Sequence, residues 1–486
     1  MAKEASLDPP DQDGWEEMTR LGKTMVEDTF QRLAGLREDK VWREMPETVR
    51  QKLEAMPLPR QGMGLNELYG EVQEMILPYG TGNLHPRFWG WVMGAGTPGG
   101  VLAELLAAGM NANLWGGNQG PVVVENQVVA WAREMMGFPA GASGLITSGC
   151  SLANVIGLAA ARGRLEDGAV SVDGMRGLQR TPVVYASGEA HNSLEKAVDL
   201  LGLGRRQLRR VPVDESRAMN AGRLAAMLER DLADGFTPMA VVATAGTVST
   251  GAIDPLAAIS RLCRKHGIWL HVDGAFGALA VLDPETAPKL AGLEAADSLA
   301  FDFHKWLSVP YEAACILVRD GADHQRPFAS QTAYLNSTGG GPGGSSLTFG
   351  DLGPELSRGF RGLKVWMTLR EHGIEKFAEV IRGNMAQARH LARLVEEHDN
   401  LELLAPVGLN IVCFRYRWPD QPEETLDRLN ERLLLAIQNQ GVAVPSHTRL
   451  NGVFSLRAAF VNQRTRRQDV DYFVERLCAA AATLGF

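Results

Sequence analysis

Asp273 and Lys305 each follow a short apolar run, Ile268–Val272 before the first and Ser298–Phe301 just upstream of the second. Runs of this kind read as buried parallel strands. Such a strand delivers the residue that follows it to its carboxyl end, where ligand sites of open α/β sheets lie. A carboxylate and an amine placed there can face one bound molecule. Pyridoxal phosphate needs both. Its ring nitrogen draws electrons best when protonated, a state that a buried carboxylate maintains. Its aldehyde needs an amine that forms a Schiff base, and a lysine partly desolvated beside another positive or polar group loses its proton most readily. His304, directly before Lys305, fits that second requirement. Either residue alone reads as a loop cap or a solvated strand end, so the elements around them must decide.

Three further segments supply what such a ligand requires. In Gly144–Asn154, small residues at 147–151 let the backbone approach an anion, and Ser151 opens an apolar helix whose first amides point at a phosphate. In Thr181–Ser193, a strand is followed by a turn that carries His191. A flat imidazole at that strand end can stack on a flat ring. Met239–Asp254 reads as another strand, followed by a hydroxyl-rich loop that contains Thr247. Strands therefore alternate with helices from about 140 to 320, which implies a parallel and mostly buried sheet.

Composition narrows the class. The chain has 486 residues, enough for two or three structural units around a large core. A formal charge of −8, from 49 basic and 57 acidic residues, argues against a nucleic-acid binder. The first residues lack the apolar core of a signal peptide, and no stretch reaches the roughly 20 apolar residues of a membrane helix. A cytoplasmic protein is expected. The five cysteines (150, 263, 315, 413 and 478) show neither a disulfide framework nor the spacing of a metal site. Residues 1–78 read as a helical arm with few apolar partners of its own, 79–365 as the large domain and 366–486 as a smaller α/β domain.

With these segments in order, the chain resembles the fold-type I pyridoxal-phosphate enzymes of the group II amino-acid decarboxylases. The likeness rests on Ala190–Ser193, His271–Ala275, His304–Leu307 and Leu456–Asn462, and it covers nearly the whole chain. It implies that Lys305 is the Schiff-base lysine, Asp273 the partner of the ring nitrogen, and His191 the stacking residue, with Ala275 against the other face. Ser148, Gly149, Cys150 and Ser151 fall on the phosphate-binding turn, with His304 close by, and Thr247 joins the cofactor contacts. The resemblance also implies an intertwined homodimer, which would give the helical arm its partner. Trp91 and Val92 fall where the family lines its side-chain pocket. Trp115 and Arg457 are the other candidate substrate contacts, Arg457 for a carboxylate.

The implied reaction is decarboxylation of an L-amino acid, aromatic or bulky and apolar, to the amine. Family members carry a mobile loop with a tyrosine that reprotonates Cα. The corresponding segment here, 336–350, has five glycines between 339 and 344 and no tyrosine. Counting back from Leu356–Arg361 places Phe349 at the tyrosine's position. Phenyl cannot donate that proton, so decarboxylation with oxidative deamination to an aldehyde is the rival outcome. An aminotransferase or lyase of the same fold type is the second.

Overall fold

The computed structural model describes residues 6–329, 341, 344 and 348–484. The fold is α/β, as its alternating pattern implies. After β1 (Phe88–Trp89), the strands β2 (Ser143–Thr147), β3 (Pro182–Ser187), β4 (Leu208–Val211), β5 (Thr237–Thr244), β6 (Trp269–Asp273), β7 (Ser298–Asp302) and β8 (Ala314–Val318) form a seven-stranded sheet. Its order is β2-β8-β7-β6-β5-β3-β4. Only β8 runs against the others, pairing antiparallel with both β7 and β2. Every residue of β3, β6, β7 and β8 is buried, which explains why these strands read as apolar runs without alternation.

This topology puts the carboxyl ends of β2, β3, β5, β6 and β7 along one edge. Register fixes them further. Thr244 pairs with Asp273, and both Thr147 and Asp302 pair with Ala314. The chain leaves each of these ends in a turn, so five turns converge there.

Six helices precede or open the sheet. The arm consists of α1 (Gln12–Gly35), α2 (Glu47–Glu54) and α3 (Leu65–Met75). Asp11 caps α1 by accepting the Gly14 amide at 3.0 Å. Of their side chains only Leu21 and Met75 are buried, and Trp15, Met18, Leu65 and Leu68 stay exposed. Next come α4 (Pro98–Met110) and α5 (Gly120–Met135), then α6 (Cys150–Gly163), which lies on the sheet with ten of its residues buried. Thr97 caps α4 through the Gly100 amide at 3.1 Å, and Pro98 takes the first turn, where it needs no amide donor.

The C-terminal part builds a second sheet from β9 (Leu401–Leu403), β10 (Ile411–Tyr416), β11 (Val444–Leu450) and β12 (Val453–Ala459). Its order is β1-β11-β12-β10-β9, so the early strand β1 completes it, Phe88 pairing with Val444. Within β9–β12 all pairings are antiparallel. Trp89 anchors β1 from below, its ring 5.1 Å from Phe460 and 5.3 Å from Phe473. The aromatic segment 88–92 thus hangs from the C-terminal sheet and reaches the edge of the large one. No described helix is long and apolar enough to cross a membrane.

Candidate active site

The converging turns enclose a cavity of about 510 Å³, within the range of small-molecule sites. Asp273, the last residue of β6, is buried there. Its Oδ1 accepts the Ala275 amide at 3.2 Å and its Oδ2 accepts an N–H from Asn154 at 3.0 Å. Lys305 follows β7 by one turn, and its Nζ lies 2.8 Å from Asp302 Oδ2. The other oxygen of Asp302 accepts the Cys150 amide at 2.8 Å, which ties the lysine turn to the start of α6.

This pair corrects one expectation. Burial favours a neutral Lys305, but the carboxylate of Asp302 outweighs it and raises the amine above its ordinary range. Asp302 is depressed in turn: burial works against its charge, and Lys305 and His304 overcome that. Lys305 in this arrangement is an ammonium held by a carboxylate, not a lysine neutralised by desolvation. The residue that sets its charge is Asp302, the last residue of β7.

The histidines are neutral for a common reason. Burial lowers both His191 and His304 below the usual imidazole range. His304 Nδ1 accepts the Ala313 amide at 3.1 Å, and its ring lies 4.3 Å from that of Tyr311. His191 Nδ1 is 3.2 Å from the Ser193 amide and 2.9 Å from the Ser193 hydroxyl. Ser148, Gly149, Cys150 and Ser151 line the cavity at the N-terminus of α6, where amides without intrahelical partners and the helix dipole favour an anion. Burial and the nearby Asp302 and Asp273 push the Cys150 thiol well up, so it acts as a small buried group and not as a nucleophile.

Ala275, Trp91 and Val92 also line the cavity, Trp91 at a left-handed φ of 51° and largely exposed. Four other candidates do not line it. Thr247 is buried, its hydroxyl 3.1 Å from that of Thr250 and accepting the Ala252 amide at 3.1 Å. Trp115 is half-buried elsewhere, and its carbonyl accepts the Gly350 amide at 3.0 Å. Arg457 is buried and its guanidinium is occupied by backbone: Nε donates to Ser249 at 3.1 Å, one terminal nitrogen to Trp91 at 2.8 Å, and the other to Val248. Burial pushes it down to about 10. Its role in this geometry is to hold the carbonyls of Trp91 and Val248, two residues at the cavity wall. Phe349 lies in the core with its ring 5.0 Å from the Arg358 guanidinium. Most of the segment 336–350 lies outside the described residues.

Several residues at the cavity carried no signal that reading single motifs could find. Thr244 pairs in register with Asp273, and its buried hydroxyl has no hydrogen-bond partner among the described residues. Thr247 lies three residues further along, on the hydroxyl-rich loop, and does not line the cavity. Asn154 sits one helical turn after Cys150, on the same face of α6, which is the only sequence hint of its contact with Asp273.

The donor set suits pyridoxal phosphate. A helix N-terminus stands ready for the phosphate, a buried carboxylate for the ring nitrogen, an imidazole and the small Ala275 for the two ring faces, and an amine for the aldehyde. The orphaned Thr244 hydroxyl adds a polar group awaiting a partner.

Residues 46–417 match the model of the pyridoxal-dependent decarboxylase conserved domain. An aromatic-L-amino-acid decarboxylase from Bacillus atrophaeus is 30% identical over 469 residues, 96% of each chain. A phenylacetaldehyde synthase from Arabidopsis thaliana is 29% identical, with 84% of each chain covered. Among solved structures, Oryza sativa TDC with PLP and tryptamine superposes with a TM-score of 0.89 at 25% identity, over 99% of this chain and all of the other. The protein is a member of the pyridoxal-dependent decarboxylase family.

Proposed function

We propose that the protein removes the α-carboxylate of an aromatic L-amino acid and releases the amine, with pyridoxal phosphate as its cofactor. The observation that carries this reading is the convergence of Asp273, Lys305 and His191 on one cavity whose wall continues into Trp91 and Val92. The cofactor, when bound, supplies an electron sink for the bond broken at Cα. The α6 N-terminus with Ser148–Ser151 would bind the phosphate, and Asp273 would accept the N–H of the ring nitrogen. His191 and Ala275 would hold the ring from its two faces. Lys305 would provide the amine for the aldehyde, and without the cofactor Asp302 holds a proton on Lys305 Nζ. Trp91 and Val92 offer the substrate side chain an apolar surface and exclude water from it. Proton-bearing groups at the wall include Lys305 Nζ, the Tyr311 hydroxyl and the free ring nitrogen of His191, and one such group would return the proton to Cα.

The relatives support the aromatic class, since they include an aromatic-L-amino-acid decarboxylase and decarboxylases of tryptophan and tyrosine. A second reading rests on the missing tyrosine in 336–350 and on the similarity to phenylacetaldehyde synthases. In that reaction substrate, dioxygen and water give aldehyde, carbon dioxide, ammonia and hydrogen peroxide. Incubation with a panel of amino acids, following carbon dioxide, amine, aldehyde and peroxide together, tests both. Amine equal to carbon dioxide without peroxide supports the first reading; aldehyde equal to peroxide replaces it with the second.

The working form in this reading is a cytoplasmic homodimer. Its support is the apolar surface that α4 leaves exposed at Leu102, Leu105, Leu106 and Met110, together with the sparsely buried arm α1–α3. All five cysteines are free thiols, which suits a reducing compartment. Light scattering at micromolar concentration checks the dimer.

A further inference from the structure

Behind Asp273 lies a line of buried polar side chains that no step above uses. Asn154, His271 and Ser298 are fully buried, and Trp269 nearly so. Asn154 Nδ2 donates to Asp273 Oδ2 at 3.0 Å, while Asn154 Oδ1 is 2.9 Å from His271 Nε2. His271 Nδ1 is 2.7 Å from Ser298 Oγ, which accepts the Trp269 indole N–H at 2.8 Å.

The direction of every bond follows from its two ends. A carboxylate can only accept, so the NH₂ of Asn154 faces Asp273 and its carbonyl faces His271; a flipped amide would set two oxygens against each other. An amide carbonyl can only accept, so His271 carries its proton on Nε2 and leaves Nδ1 as an acceptor. The Ser298 hydroxyl therefore donates to Nδ1 and receives the indole N–H. Burial pushes His271 down to about 3, which keeps it in this neutral form.

A branch reaches the second ring contact. Asn154 Nδ2 also lies 3.3 Å from Ser193 Oγ. The Ser193 hydroxyl accepts there and donates to His191 Nδ1 at 2.9 Å, and its amide donates to the same nitrogen at 3.2 Å. His191 then bears its proton on Nε2, the nitrogen away from Ser193.

Gly157 shows that the fold makes room for this line. A Cβ there would stand 2.6 Å from His271 Nδ1 and 3.1 Å from Ser298 Oγ. Glycine inside a helix costs about 1 kcal/mol relative to alanine, and here it lets α6 press directly onto the imidazole.

We propose that Trp269, Ser298, His271 and Asn154 form a positioning relay that orients Asp273 toward the cofactor ring nitrogen and, through Ser193, sets the proton of His191 on Nε2. None of the four is a catalytic residue in this scheme. The relay rests on the pyridoxal-phosphate reading above and deepens it. Besides its relay partners, the charged groups acting on His191 are Asp273, Lys305, Asp302 and Lys196, and the test leaves all of them in place.

The experiment loads the full-length protein with pyridoxal phosphate labelled with ¹⁵N in the ring and follows the ring-nitrogen resonance against pH. In wild type the nitrogen stays protonated across neutral pH. His271→Leu removes the donor that holds the Asn154 amide, and the ring-nitrogen pKa falls by roughly one unit, a tenfold change. His271→Gln, which keeps an N–H donor, restores most of it. Ser298→Ala, a smaller change, moves the titration in the same direction if His271→Leu does not fold. A merely structural relay would lower occupancy and melting temperature and leave the titration of the loaded fraction where it is in wild type; that result overturns the proposal. Wild type that takes up no pyridoxal phosphate overturns the cofactor reading with it, whereas loaded wild type with unshifted variants overturns the relay alone.

Discussion

Asp302 Oδ2 stands 2.8 Å from Lys305 Nζ, and the same carboxylate accepts the Cys150 amide. One buried anion thus occupies both the amine and the helix start that the cofactor needs. Its depressed pKa and the raised pKa of Lys305 are two views of one ion pair.

Removing that charge should free the amine. Asp302→Asn keeps an acceptor for the Cys150 amide and withdraws the anion that holds Lys305 charged. Burial then acts unopposed by Asp302, and the lysine pKa falls. We expect the pH midpoint for capture of pyridoxal phosphate by the cofactor-free protein, followed by visible absorbance, to move down by at least roughly one unit. An unmoved midpoint would mean that Asp302 does not set the charge of Lys305.

Two helical glycines should respond in opposite ways to alanine. At Gly157 the new methyl would lie 2.6 Å from His271 Nδ1, whereas at Gly383, inside the helix Ile374–Glu396, nothing lies within 4 Å. Gly157→Ala should destabilise by about 1–3 kcal/mol through overpacking, and Gly383→Ala should stabilise by about 0.5–1 kcal/mol through helix propensity. Chemical denaturation of the two variants against wild type reads both. A Gly157→Ala protein as stable as wild type would show that α6 can shift to admit a methyl.

Much of this architecture was legible in the residues. Ile268–Asp273 and Ser298–Asp302 have no polar alternation because both faces of β6 and β7 are covered, so run and strand coincide, and the ionisable residue after each run falls at the working edge. What escaped is the set of contacts made between elements. Asn154 is an ordinary helix residue until β6 lies under it, and Asp302 gains its meaning only from the fold of the following turn onto α6. The family resemblance puts Arg457 toward a carboxylate, yet three backbone carbonyls surround its guanidinium, a relationship with no trace in local sequence. Likewise β11 contains Pro445 and polar residues that suggested no strand. Its ladder with β12 starts at Ser446, and Pro445 lies just before it, opposite Trp89 of β1, so the missing amide breaks no pairing with β12.

Glu125 and Arg358 are both without solvent exposure and 2.5 Å apart. The guanidinium also donates to the carbonyl of Leu114 at 3.1 Å and covers the Phe349 ring. Arg358→Met leaves the Glu125 carboxylate buried alone and should cost about 3–5 kcal/mol. Adding Glu125→Gln to it should recover part of that loss, because the second change removes the stranded charge. A double-mutant cycle in urea measures the coupling, and strictly additive losses would refute it.

His324 is buried and pushed by burial to about 4. Its unfolded value is about 6.5. A folded pKa depressed in this way contributes stability that is complete above pH 6.5 and is lost as pH falls toward 4. Wild type should therefore lose stability faster than His324→Gln across that window, by about 1.4 kcal/mol per pH unit. Asp254, raised by burial to about 6, works in the opposite sense but is present in both proteins and cancels. Urea midpoints at several pH values give the two slopes. Parallel slopes would mean that His324 is protonated in the folded protein.

Phe349 lies in a short turn, Phe349–Asp351, anchored on both sides. Thr348 bridges to Gly116, and the Gly350 amide donates to the Trp115 carbonyl at 3.0 Å. Its ring is only 1% exposed and does not line the cavity. A phenol at this position is not placed to hand a proton to Cα. We therefore expect Phe349→Tyr to lower stability, because a hydroxyl enters an apolar cluster at a cost of about 1–3 kcal/mol, and to leave the ratio of amine to aldehyde as in wild type. The measurement follows carbon dioxide, amine, aldehyde and peroxide under air for both proteins and compares their melting temperatures. A shift from aldehyde to amine with unchanged melting temperature would instead put residue 349 over the cavity during turnover, in the role that the family resemblance implies for it.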